Sequence, residues 1–134
     1  MEENLRGELV ERIAHELTNE LGKWGEDLAV AYLQGKGYQI IERDWKSGRR
    51  DIDIIASDED DTLVIVEVKT RRNRLFGEPE EAIDYRKMQS LQQAVNHYIK
   101  YRHFNGNVRF DIISIVGTIG AEPDINHIKD VALL

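Results

Sequence analysis

The chain has no cysteine, so disulfides and thiolate metal sites are excluded, and any bound metal must be held by oxygen or imidazole. It contains no apolar run near the roughly 20 residues of a membrane helix. Met1-Glu2-Glu3 lacks the basic start and apolar core of a signal peptide. These absences lead us to expect a cytoplasmic protein with no membrane partner. The histidines His15, His97, His103 and His127 form no i, i+4 pair and have no acid motif beside them, which argues against a histidine metal site and for surface or helix-packing roles. Ser47-Gly48 and Gly35-x-Gly37 read as turns, because the lysine and hydroxyl of a phosphate-cradling loop are missing. There is no internal repeat and no low-complexity tract.

What is present suits one folded domain, since 134 residues are enough for an independent core. The net charge of -7 argues at first against a nucleic-acid partner. Its distribution weakens the objection, because residues 1–30 carry five of those seven charges. The remainder is nearly neutral, with basic clusters at Arg43/Lys46/Arg49/Arg50 and Lys69/Arg71/Arg72/Arg74. Arg50, Arg71, Arg72 and Arg74 are thereby candidate nucleic-acid contacts, set against the plainer reading of solvated loop charges.

Leu5, Leu9, Ile13, Leu17, Leu21, Trp24 and Leu28 recur at helical spacing. Gly22 and Gly25 each cost about 1 kcal/mol inside a helix, so the pattern predicts a separate N-terminal helix to about residue 18 and a core helix over 19–34. Gly35-Lys36-Gly37 supplies a glycine cap. Strands are expected over 38–43, 50–56 and 62–69, the last two a hairpin across Ser57-Asp58-Glu59-Asp60-Asp61. Met88, Leu91, Val95, Tyr98 and Ile99 define a second helix over 84–103 with Asp84 as N-cap. Strands over 108–116 and 125–131 complete an α/β fold, a mixed β-sheet flanked by helices. The expected organisation is an N-terminal helical extension over 1–18 and an α/β domain over 19–134. Trp24 reads as core; Trp45 is left open between core packing and base stacking.

The informative anomaly is Glu67-Val68-Lys69 at the end of the apolar run Leu63-Val64-Ile65-Val66, where charges stand in place of grease. A buried charge costs several kcal/mol unless it is paired or bound to a metal. Ile52-Asp53-Ile54-Ile55-Ala56 carries an acid in the same way. A hairpin turn centred on Glu59 would set Asp53 opposite Ile65 and Asp51 opposite Glu67, with Asp53 and Glu67 a diagonal pair about 7–8 Å apart. Two carboxylates and the Val68 carbonyl form an oxygen-only set suited to Mg²⁺ or Mn²⁺. Lys69 beside them is suited to orienting an attacking water and neutralising charge on a phosphate. Glu26 lies at the edge of the helical arc Gly22, Gly25, Ala29, Leu33, whose small residues let the helix approach the sheet. It is either a further site acid or a solvated one.

The matching elements are Gly22-x-x-Gly25-Glu26-x-x-Ala29, Gly37-Tyr38, Asp51-Ile52-Asp53-Ile54-Ile55-Ala56, Val66-Glu67-Val68-Lys69-x-Arg71, Phe76-Gly77-x-Pro79, Lys87, Ala94, Tyr98 and Arg109-Phe110-Asp111. In that order they resemble the PD-(D/E)XK nuclease superfamily, and more closely the YraN family, similar to Holliday-junction resolvases. The resemblance implies a restriction-endonuclease-like sheet and a metal-dependent endonuclease acting on DNA, branched or structured DNA included. It implies that Asp53 and Glu67 are metal ligands, Lys69 the catalytic lysine, Glu26 an assisting acid, and Lys87 a phosphate contact. The family's usual Gly-Glu is Arg50-Asp51 here, so no metal role is carried over to Asp51. Residues 1–18 fall outside the pattern, either pairing two protomers into a homodimer or covering an apolar face.

Two other readings compete. A nuclease scaffold can be kept as a non-catalytic nucleic-acid- or protein-binding module. The acids can also pair with neighbouring Arg and Lys on a sheet edge, with no site at all.

Overall fold

A single helix, α1 (Glu2–Gly35), runs through the point where the glycines were expected to break it. The computed structural model describes residues 2–132, with side chains from Arg6 onward. Met1, Leu133 and Leu134, at the ends of the expected 1–18 and 19–134 segments, lie outside the described residues, as does the side chain of Leu5. The helix continues through Gly22 and Gly25 because packing outweighs their propensity cost. Ala29 and Leu33 are fully buried on the sheet, and Gly25 permits the contact: a Cβ there would stand 1.9 Å from Thr70 Oγ1. Residues 6–20 are exposed throughout. The helix stops at Gly37, whose φ of +92° is left-handed. The Tyr38 N–H reaches the Leu33 carbonyl and the Gly37 N–H the Gln34 carbonyl, the two bonds of a Schellman cap.

Five strands follow in one sheet: β1 (Gln39–Ser47), β2 (Arg50–Ser57), β3 (Leu63–Arg71), β4 (Val108–Val116) and β5 (Asp124–Ile128). They lie side by side in chain order, antiparallel except for β3 and β4, which run parallel. That parallel step needs a crossover, provided by a 3-10 turn (Pro79–Ala82) and α2 (Tyr85–Arg102). The Asp84 side chain caps α2 by accepting the Lys87 N–H at 2.9 Å. β1 extends past the expected end at residue 43, because Trp45 packs edge-on against Tyr98 of α2 with ring centroids 5.2 Å apart. Its place beside the core answers the open reading of Trp45. Trp24 likewise packs against buried side chains.

Both faces of the sheet are covered, which explains the unbroken apolar run of β3. Ile55, Leu63, Ile65, Phe110 and Ile112 pack with Leu91, Val95 and Tyr98 on the α2 side. Ile54, Ala56, Val64, Val66, Ile113 and Ile115 pack with Ala29 and Leu33 on the α1 side.

The β2/β3 register differs from expectation by one residue at the turn. Ile54 pairs with Val66 and Ser57 with Leu63, so the hairpin centres on Asp60 rather than Glu59. Asp58 sets this turn, its Oδ1 accepting the N–H groups of Asp60 and Thr62 while Asp61 takes a positive φ of 60°. Because pairing stops at Ile54↔Val66, Asp53 on β2 and Glu67 on β3 are the first residues past the end of the ladder. Side-chain alternation also breaks at Asp53: Ile52 packs on the α2 side, yet Ile54 and Ala56 pack on the α1 side. On β1, Asp44 has a positive φ of 49° between the pairs Arg43↔Ile54 and Trp45↔Ile52. Both strands are irregular where the acid stands.

Candidate active site

Beyond Ile54↔Val66 the β2/β3 ladder ends, and Asp53 fills the gap by accepting the Val68 N–H on Oδ2 at 2.8 Å. Its carboxylate therefore lies against Glu67, whose side chain is only 3% exposed. Lys69, two residues along the same strand, places Nζ 3.6 Å from Glu67 Oε1. The first turn of α2 brings Lys87 Nζ to 3.5 Å from the same oxygen and 3.9 Å from Asp51 Oδ1. Glu67 Oε2 is buried and has no hydrogen-bond partner.

Glu26 approaches from α1. Its Oε1 takes Arg43 Nη2 at 3.3 Å, and Arg43 also binds Asp27 at 2.7 Å. Thus Asp53, Glu67, Lys69, Lys87 and Asp51 meet at the splayed strand ends, with Glu26 held at the rim.

Electrostatics follow from this crowding. Burial and the neighbouring Asp53 charge push the Glu67 carboxyl up to about 7, against the pull of Lys87 and Lys69. Burial raises Asp53 too, opposed by its bond from the Val68 N–H and reinforced by Asp51. Glu26 is raised by burial and by Asp53, with Arg43 holding it back. For Lys87, burial pushes down, and the charges of Glu67, Asp51 and Asp53 outweigh it, so its pKa is raised. Two lysines leave a carboxylate excess among these groups.

A divalent cation fits that excess. The donors are hard oxygens, one of them an orphaned buried carboxylate oxygen, and such a set suits Mg²⁺ or Mn²⁺. Among the described residues, no group of three or more His, Cys, Asp and Glu side chains is placed to hold a metal ion. Asp53 and Glu67 form a pair, so the Val68 carbonyl and water would have to complete the shell. Mg²⁺ commonly retains several waters.

The other basic residues lie around this centre. Arg71 and Arg72 line a groove of about 500 Å³ beside the loop tip, where Phe76 is 98% exposed. Arg74 is engaged by Glu78 at 2.9 Å and by Asp124. Arg50 joins Arg49 and Arg86 in a concavity of about 400 Å³, adjacent in sequence to Asp51 and Lys87.

The family model of uncharacterised protein family UPF0102 matches residues 25–115. A UPF0102 protein of Bacteroides thetaiotaomicron (strain ATCC 29148) is 49% identical over 112 residues, covering 84% of this chain and 91% of that protein. The chain belongs to UPF0102. Another UPF0102 protein, from Syntrophomonas wolfei subsp. wolfei, is 43% identical over 113 residues, covering 84% of this chain and 96% of its own. Among solved structures, a repair endonuclease from Pyrococcus abyssi is similar over 69% of this chain at 18% identity and a TM-score of 0.43, and this chain spans 38% of its length. The segment matched to UPF0102 contains Glu26, Asp53, Glu67, Lys69 and Lys87, and leaves out residues 1–24. Among the described residues, no helix of this UPF0102 member is long and apolar enough to cross a membrane.

A second polar cluster escaped the sequence reading. Asp111 is fully buried on β4, and Arg109 grips both its oxygens at 2.9 Å. His127 Nε2 bonds Asp111 Oδ2 at 2.7 Å, and Tyr32 Oη bonds His127 Nδ1 at 3.2 Å. His127, expected to be a surface or helix-packing residue without an acid, is a strand residue whose side chain is 4% exposed and paired with one. The signal was present: Asp111 interrupts an apolar strand just as Asp53 does. Arg86 was also missed as a partner of Arg49 and Arg50, because α2 and β2 meet only in the fold.

Proposed function

We propose that this UPF0102 protein is a metal-dependent endonuclease that hydrolyses phosphodiester bonds in DNA, branched or otherwise structured DNA included. The observation that supports it is the buried, unpartnered Glu67 Oε2 beside the Asp53 carboxylate, with Lys69 and Lys87 within 4 Å of the other Glu67 oxygen. Asp53, Glu67 and the Val68 carbonyl would hold Mg²⁺ or Mn²⁺. When bound there, the ion supplies Lewis-acid chemistry, stabilising charge on the phosphate and acidifying water.

The chain's own residues do the positioning. Lys69, held by Glu67, offers its ammonium to the attacking water and to charge building on the phosphate oxygens. Lys87 presents a second cation at the start of α2, where it steadies a phosphate. Arg43 fixes Glu26 at the rim against the repulsion of Asp53, which leaves this acid positioned to orient water. The concavity of Arg49, Arg50 and Arg86 receives backbone phosphates, and Arg71 and Arg72 flank the other side.

Calorimetric titration with Mn²⁺, combined with cleavage assays on branched, flapped, single-stranded and duplex DNA, tests the reading. Wild-type protein should show one saturable site and cut at least one substrate. Lys69→Ala should keep the site and lose cleavage by at least about a hundredfold, the scale of removing one transition-state donor. A pure preparation that binds neither ion and cuts none of these substrates would overturn it.

A further inference from the structure

The exposed half of α1 carries an apolar stripe that its own domain does not cover. Leu9 is 49% exposed, Val10 64%, Ile13 46% and Leu17 46%. At about 100° per residue, Ile13 lies roughly 160° around the helix from Ala29, which packs on the sheet. By the same measure Ile13 lies within roughly 20° of Trp24, which packs on the domain, so the stripe prolongs the flank of α1 that Trp24 uses, past the reach of the sheet. Residues 6–20 would project about 22 Å as helix, and helices of that length are marginal in water without packing.

The sequence of the stripe specifies a second copy of itself. Leu9 and Leu17 stand four residues on either side of Ile13, and Arg6 and Glu20 seven residues on either side. A seven-residue step is nearly two full turns, so Arg6, Ile13 and Glu20 share one side of the helix. Opposite charges thus occupy mirror-related ends of an apolar strip.

We propose that two copies of this chain associate through an antiparallel, two-fold pairing of α1 centred on Ile13. Ile13 meets Ile13, and Leu9 of each helix meets the partner's Leu17. Arg6 of each meets the partner's Glu20, forming two equivalent ion pairs at the ends of the contact. A two-fold axis requires this self-complementarity, and a parallel pairing in the same register would set Arg6 against Arg6. The proposal is independent of any activity at Asp53 and Glu67.

Sedimentation equilibrium on the full chain tests it through charge reversal. Arg6 and Glu20 are fourteen residues apart on one helix, too far to touch within a molecule, so only intermolecular contact can couple them. Wild type should be dimeric at micromolar concentration. Arg6→Glu and Glu20→Arg should each weaken association about tenfold or more, since each creates two like-charge pairs. The double reversal should return to within about threefold of wild type, and Ile13→Asp should be monomeric while its α/β domain still unfolds in a cooperative thermal transition. A wild type that stays monomeric up to about a millimolar, single reversals without effect, or a double reversal that fails to restore the dimer would each overturn the proposal.

Discussion

Asp53 reaches across the open end of the β2/β3 ladder to accept the Val68 N–H at 2.8 Å, one residue beyond the Glu67 it faces. One carboxylate thus performs two tasks. It satisfies a backbone donor left over where the strands part, and it holds a charge against a second acid.

These tasks separate by substitution. Asp53→Asn retains an oxygen for the Val68 N–H and removes the charge, so it should fold at least as stably as wild type near pH 8 while losing saturable Mn²⁺ binding. Asp53→Ala should lose the metal site and also cost about 1–3 kcal/mol, because the donor is left unpaired. Urea melts with and without Mn²⁺ measure both effects.

Glu67 gives a pH prediction of definite sign. Its carboxyl is raised from the ordinary 4.5 to about 7, so between these values the folded state binds more protons than the unfolded state. Stability should therefore fall as pH rises through that window. Glu67→Gln should flatten the fall and melt higher than wild type at pH 8, by an amount on the order of 2 kcal/mol. Added Mg²⁺ should raise the wild-type melting temperature at pH 8 and leave the variant unmoved. Melting curves from pH 4 to pH 8 decide it, and equal slopes for the two proteins would refute the assignment of strain to Glu67.

The two glycines of α1 should respond with opposite signs. Gly22 has nothing within 4 Å of a would-be Cβ, so Gly22→Ala should stabilise by up to about 1 kcal/mol through helix propensity. At Gly25 the Cβ would meet Thr70 Oγ1 at 1.9 Å and Thr70 Cβ at 2.9 Å. Gly25→Ala should cost about 1–3 kcal/mol by forcing α1 off β3, and should displace the adjacent Glu26. Thermal denaturation of the two variants, side by side, gives the comparison.

Legibility in the sequence followed locality. The strands, the Asp84 cap and the pairing of an apolar run with Glu67 depend on period and capping chemistry, which a single chain displays openly. Gly25 misled because propensity registers only its cost inside a helix, whereas its use is the close approach to Thr70, 45 positions away. The turn was misplaced by one residue because an Asp58 side chain, rather than backbone alone, fixes its centre. That shift makes Asp53 and Glu67 the first residues past the end of the ladder, where their carboxylates meet. Lys87 reaches Glu67 and Asp51 only through the parallel crossover, and spacing alone gave no hint of the Asp51 contact.

Asp111 should govern acid stability at a distance from the proposed chemistry. Burial pushes its carboxyl up, but the bonds from His127, Arg109 and the Asp130 N–H outweigh that and hold it at about 2, below the ordinary 3.8. The unfolded state therefore binds more protons between these values, and the stability this acid contributes is complete above pH 3.8 and lost as pH falls through about 2. Asp111→Asn should cost about 3 kcal/mol at pH 7, since it strips the charge that Arg109 and His127 are folded around. In urea melts taken from pH 2 to pH 7, the variant should lack the part of the acid limb below pH 3.8. An unchanged limb would show that the Arg109–Asp111–His127 cluster is not a stabilising network.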